Sequence, residues 1–206
     1  MTDPSALLNM QAGVAGLPVS TLEYSGLGVF YSENVTSDIW LRAPLRTSAE
    51  EFHRVQRELF SKVPIIPFRF PTILESEDKL RVHLDQRADE YKNLLLRFAT
   101  SAQMDVFLTH TSALSAHPSG ASYLRERQER NHAMEQFASE LRKHAEPLVK
   151  DWRQRTVSNG LRCFALLERK HVQEFNEKMK MLAVPSALGA RVSGPWPVAE
   201  FLDFEI

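Results

Sequence analysis

Behind Ser76, with acidic Glu77 and Asp78 in the first turn, the residues Leu80, Leu84, Ala88, Tyr91, Leu95 and Phe98 recur at intervals of three or four. A hydroxyl cap, early carboxylates and an apolar stripe of that period specify an amphipathic helix. Such a helix must lay its stripe against other elements, and the flanking sequence is rich in β-formers. Val19 to Tyr24 and Leu27 to Tyr31 are two β-branched and aromatic runs separated by Ser25-Gly26, which predicts a hairpin. Met104 to Thr109 predicts a further strand. The chain is therefore read as α+β.

Ser48-Ala49-Glu50-Glu51 matches a capping box, and Phe52, Val55 and Leu59 follow at helical spacing, so a helix is expected over 49–62. Val63 to Leu74 carries Pro64, Pro67 and Pro71 around Ile65-Ile66 and Phe68-Arg69-Phe70. Because proline cannot donate to a ladder, this run is expected as an edge or bulged strand, with Arg69 on the face opposite Phe68 and Phe70. Strands, helix, strand, helix, strand over 18–112 predict a ferredoxin-like N-terminal domain with two helices, preceded by a loose lead-in over 1–17.

Thr111 to Gly120, rich in Ser, Ala, His, Pro and Gly, is the expected junction to a second domain over 113–206. Met134, Phe137, Leu141, Ala145, Leu148 and Trp152 then form a narrow stripe. It predicts one long, coiled-coil-like helix from about Ala121 to Val157, kinked at Pro147 and able to pair two copies of the chain. A strand over Leu161 to Leu167, a helix carrying Val172, Phe175, Met179 and Leu182, and a short strand over Gly189 to Gly194 complete a smaller sheet.

Chemistry is sparse. The seven histidines, at 53, 83, 110, 117, 132, 144 and 171, show no His-x-x-x-His pair on one helix, so no metal site is expected. Ser76-Glu77-Asp78-Lys79 fits the short Ser-x-x-Lys pattern of acylating enzymes but is better explained as a helix cap. Gly26-Leu27-Gly28 lacks the third glycine and following helix of a phosphate loop. Cys163, the one cysteine, sits in an apolar run and reads as a buried small residue. No catalytic residue and no cofactor is expected. With 25 basic against 26 acidic residues, the chain has no excess charge for nucleic acid. No signal peptide or membrane span is expected, and a single cysteine suits a reducing cytoplasm.

Two segments remain distinctive: Val63-Pro64-Ile65-Ile66-Pro67-Phe68-Arg69-Phe70 and Val192-Ser193-Gly194-Pro195-Trp196-Pro197-Val198-Ala199-Glu200-Phe201. Between them lie Ser119-Gly120-Ala121-Ser122-Tyr123-Leu124 and Leu166-Leu167-Glu168-Arg169 followed by Phe175. In order and spacing, from about residue 13 to 203, these motifs resemble the GvpF/GvpL family of gas vesicle proteins. Departures are Pro71, where the family usually has Gly, and Val198-Ala199 in place of Pro-Tyr.

The resemblance implies a non-enzymatic accessory protein of gas vesicle assembly, cytoplasmic or at the gas-facing surface of the shell. Its implied partners are the major shell protein and other accessory proteins. The partner-binding candidates are Ile65, Phe68, Arg69 and Phe70 on an open sheet edge, and Trp196, Pro197 and Phe201 near the chain end. Gly194-Pro195-Trp196-Pro197 carries a competing structural reading, a rigid turn whose indole packs over its own domain. Alternatives of other classes are a small-molecule-binding or enzymatic ferredoxin-like protein, signalled by polar groups converging near Cys163, His110 or Arg69, and an interaction module used outside gas vesicles.

Overall fold

A computed structural model describes residues 13–33, 45–112 and 119–202. Most of the lead-in, residues 34–44 and positions 113–118 of the expected junction, including His117, lie outside the described residues. Tertiary contacts divide the chain between Ala99 and Thr100, and the second unit ends at Phe201.

In the first unit, β1 (Ser20–Tyr24) and β2 (Leu27–Tyr31) form a two-stranded antiparallel sheet in the register Ser20 to Tyr31 through Tyr24 to Leu27. The turn has positive φ at both Ser25 and Gly26, which matches the right-handed twist of the strands it joins. Helix α1 (Leu45–Lys62) buries Leu59 and Phe60, and α2 (Glu77–Arg97) buries Leu80, Leu84, Tyr91 and Leu94. The Ser76 hydroxyl accepts from the Lys79 N–H at 3.2 Å, so the expected cap is formed. Ser48, expected to cap α1, instead lies inside it: the helix begins at Leu45, and the Ser48 side chain is buried. The hairpin is tied to α2 by Tyr24, whose hydroxyl donates to Asp85 at 2.8 Å and whose ring lies 5.1 Å from the Arg81 guanidinium.

The second unit runs β3 (Ser101–His110), α3 (Gly120–Ala145), β4 (Val149–Val157), β5 (Gly160–Glu168), α4 (Val172–Met181) and β6 (Leu188–Trp196). Its strands lie in the order β4-β5-β3-β6, and all three pairings are antiparallel. That order and the β-α-β-β-α-β sequence are the ferredoxin-like wind. Met104, Val106 and Leu108 of β3 and Leu161, Cys163, Ala165 and Leu167 of β5 meet Met134, Phe137 and Leu141 of α3 and Phe175 and Met179 of α4 in one core. Helices cover one sheet face, so the alternate residues of each strand form the other.

Four expectations are corrected here. The ferredoxin-like order belongs to the second unit, because β3 pairs with β5 and β6 rather than with the hairpin. The sheet of that unit is the larger of the two, with four strands. The long helix stops at Ala145; Pro147 withholds an N–H, and the chain turns into β4, where Trp152 joins the core from a strand. The coiled-coil-like stripe of α3 is spent on its own sheet. Finally, Val63 to Leu74 forms no strand.

Candidate functional site

The Pro-rich segment is a connector without regular secondary structure, held by both helices of its unit. The Phe68 ring lies 5.8 Å from His83 and 6.2 Å from Tyr91 on α2, and Phe70 lies 5.2 Å from Phe52 on α1. The Gln56 amide donates to the Phe68 carbonyl at 3.4 Å, and the Thr72 hydroxyl donates to the Arg69 carbonyl at 2.6 Å. Side chains and helix groups thus satisfy backbone that a sheet would otherwise pair. His83 Nε2 and the Tyr91 hydroxyl are 2.7 Å apart; burial, with Arg87 nearby, lowers the His83 pKa, and burial raises that of Tyr91.

Of the four candidates here, Ile65, Phe68 and Phe70 are half-buried and Arg69 is exposed. The open sheet edge expected at Ile65 to Phe70 is not present, since there is no strand. More apolar surface lies just beyond it, on residues sequence reasoning passed over: Ile73 is 65% exposed, Val82 52% and Leu74 40%. Val82 sits off the α2 stripe, and that position was the available signal.

In the second unit, β6 ends at Trp196, and the following residues fold into a short turn over Ala199–Phe201. Gly194 has φ 130°, and a Cβ there would come within 2.7 Å of the Met104 sulfur, so only glycine fits. The half-buried Trp196 indole N–H donates to Ser193 at 3.3 Å, while Pro197, Val198 and Phe201 are buried. The turn is locked down by polar contacts. The Glu200 N–H donates to Gln103 Oε1 at 3.0 Å, Arg153 donates to the Glu200 carbonyl at 2.9 Å, and Arg155 meets the Glu200 carboxylate at 3.0 Å. The Arg153 guanidinium also lies 5.2 Å from the Phe201 ring. Gly194, Pro195 and Trp196 thus belong to β6, which runs two residues beyond the strand expected over Gly189 to Gly194.

Gln103 donates its amide to Asp105 at 2.8 Å, and burial raises the Asp105 pKa to about 6 against the Gln103 hydrogen bond and the Arg162 charge. Burial pushes the Cys163 thiol up to about 12, which suppresses the thiolate a nucleophile needs. His110 Nε2 lies 3.3 Å from the Arg130 carbonyl. Among the described residues, no three His, Cys, Asp or Glu side chains are placed to hold a metal, and no helix is long and apolar enough to cross a membrane.

The family model for gas vesicle synthesis protein GvpL/GvpF matches residues 1–203. The crystal structure of gas vesicle protein GvpF from Anabaena sp. PCC7120 superposes with a TM-score of 0.77 at 12% identity, covering 100% of this chain and 93% of that one. GvpF from Microcystis aeruginosa gives 0.70 at 12% identity, covering 92% and 90%. At such identity the likeness shows the fold. No curated protein matches the sequence.

Proposed function

The chain belongs to the GvpL/GvpF family of gas vesicle synthesis proteins, and from that premise we propose that it is an accessory factor which binds the major shell protein during shell assembly. The observation that carries the reading is apolar surface in the first unit, where Ile73, Leu74 and Val82 stand exposed within ten residues of one another along the chain. Shell subunits with an apolar face aggregate unless that face is covered before polymerisation, and covering one large aliphatic side chain is worth about 1.5–3 kcal/mol. Half-buried Ile65, Phe68 and Phe70 and exposed Arg69 border this surface in sequence. In the second unit, half-buried Trp196 is the accessible member of its group, while Pro197 and Phe201 are buried.

Co-expression with the major shell protein tests the proposal: the native chain raises the soluble shell fraction and co-purifies with it, and the I73S/L74S/V82S variant does neither. Equal solubility with the native chain, the variant and no chain at all refutes it. The proposal extends to a place on the gas-facing surface of the shell. Protease should then cleave the chain only after the vesicles are collapsed, and cleavage in intact vesicles contradicts that placement.

A further inference from the structure

We infer that the Arg162–Phe107–Arg191 end of the sheet face turned away from α3 and α4 is a docking surface for a carboxylate-bearing segment of a partner polypeptide, gripped by Arg162 and Arg191 on either side of Phe107. The inference stands without the assembly proposal. Register places Arg155, Arg162, Phe107 and Arg191 in one row across β4, β5, β3 and β6. Directly paired residues point to the same face, and Val106, Leu108, Leu161 and Cys163 occupy the helix-covered one. All three arginines are exposed. Arg155 is engaged by Glu200, and Arg162 lies 5.6 Å from the Phe107 ring, with Asp105 the carboxylate that feels its charge. Among the described residues, neither Arg162 nor Arg191 has a carboxylate within 4.0 Å.

The next positions toward the strand ends are Val157, Gly160, Thr109 and Gly189, which leave a low floor in front of the guanidinium groups. Arg162 and Arg191 are rooted two strand spacings apart, about 10 Å, and because side chains of an extended chain alternate sides, same-side residues four apart, about 13 Å, are the pair that the long arginine stems can reach together. A segment with acidic side chains at that separation and an apolar one between them meets both forks and the Phe107 ring, and the guanidinium fork suits carboxylate in two-bond geometry. Single-stranded nucleic acid is disfavoured. It needs open rings on the central strands to stack bases, and Phe164, the ring that β5 carries on this face, is buried beneath Arg155.

The test is fluorescence anisotropy on the full chain at low salt, with a labelled twelve-residue peptide of Glu-Leu-Ala-Glu repeats, its Gln counterpart and an oligothymidylate. We expect saturable binding of the acidic peptide, at least about tenfold weaker for the Gln peptide and for the R162Q/R191Q chain. R191K, which keeps the charge and the fold but loses the fork, should weaken binding by about threefold or more. Equal affinity for both peptides, unchanged affinity in R191K, or tighter binding of oligothymidylate overturns the inference.

Discussion

Replacing Asp105 by Asn should stabilise the second unit at neutral pH and do little in acid. Asp105 lies on a central strand with its carboxyl largely buried, and its pKa rises from 3.8 to about 6, burial outweighing the Gln103 amide and the Arg162 charge. A tenfold change in proton affinity is about 1.4 kcal/mol, so this displacement corresponds to about 3 kcal/mol. Between about pH 3.8 and 6 the native chain retains a proton that the unfolded chain has released, so stability falls as pH rises through that window. Above the window the cost is constant. Asn carries no charge to desolvate, and its carbonyl can still accept from Gln103. The D105N chain should therefore gain about 2–3 kcal/mol near pH 7.5 and almost nothing near pH 4. Urea unfolding followed by tryptophan fluorescence across this range measures both. A D105N chain that is less stable at pH 7.5, or whose advantage does not shrink on acidification, refutes the reasoning.

Phe175, fully buried between α4 and the sheet, should cost about 3–5 kcal/mol when truncated to Ala, read as a lower urea midpoint. A loss under 1 kcal/mol would mean the core is not packed as described. Gly160→Ala would place a Cβ 2.1 Å from the Leu108 carbonyl oxygen, so the β3–β5 contact must open; the expected loss is at least about 2 kcal/mol, and a variant as stable as the native chain contradicts that register. The Ser48 hydroxyl is buried with no hydrogen-bond partner among the described residues, so Ser48→Ala should be neutral or stabilising by up to about 1 kcal/mol, whereas a marked loss would reveal a partner.

The elements that were legible in the sequence carried their own boundary chemistry. Ser76 and Ser119 cap α2 and α3 with hydrogen bonds to the N–H groups of Lys79 and Ser122, and Ser25-Gly26 forms the turn it predicts. The strand β4 was hidden because it is an edge. Trp152 is its one buried residue and Val149 packs against the core at its start, while Gln154 and Thr156 on the Trp152 side are exposed, so no apolar alternation shows. Leu148 and Trp152 also continue the α3 stripe by coincidence of spacing. The Pro-rich connector has the β-branched and aromatic composition of a strand, but its rings are claimed by Phe52, His83 and Tyr91. The grouping of β3 with β5 and β6 is a long-range choice that no local pattern records.

The same holds for the candidate residues. Prolines and aromatics marked both segments, yet whether a ring faces solvent depends on what folds over it. For Pro197 and Phe201, it is the turn over Ala199–Phe201 that folds inward. The arginine row escaped notice because its three arginines lie on three separate strands, and only register aligns them with Phe107 on a fourth.

The strand order also sets a timetable for biosynthesis. Ser101–His110 emerges from the ribosome well before Leu188–Trp196, the strand that flanks it on one side. Until translation has passed Trp196, one border of that central strand has nothing to zip onto, and its apolar side chains Val106 and Leu108 stand beside an incomplete platform. Over that stretch of synthesis the nascent polypeptide presents an unpaired border and apolar side chains that holdase chaperones can engage.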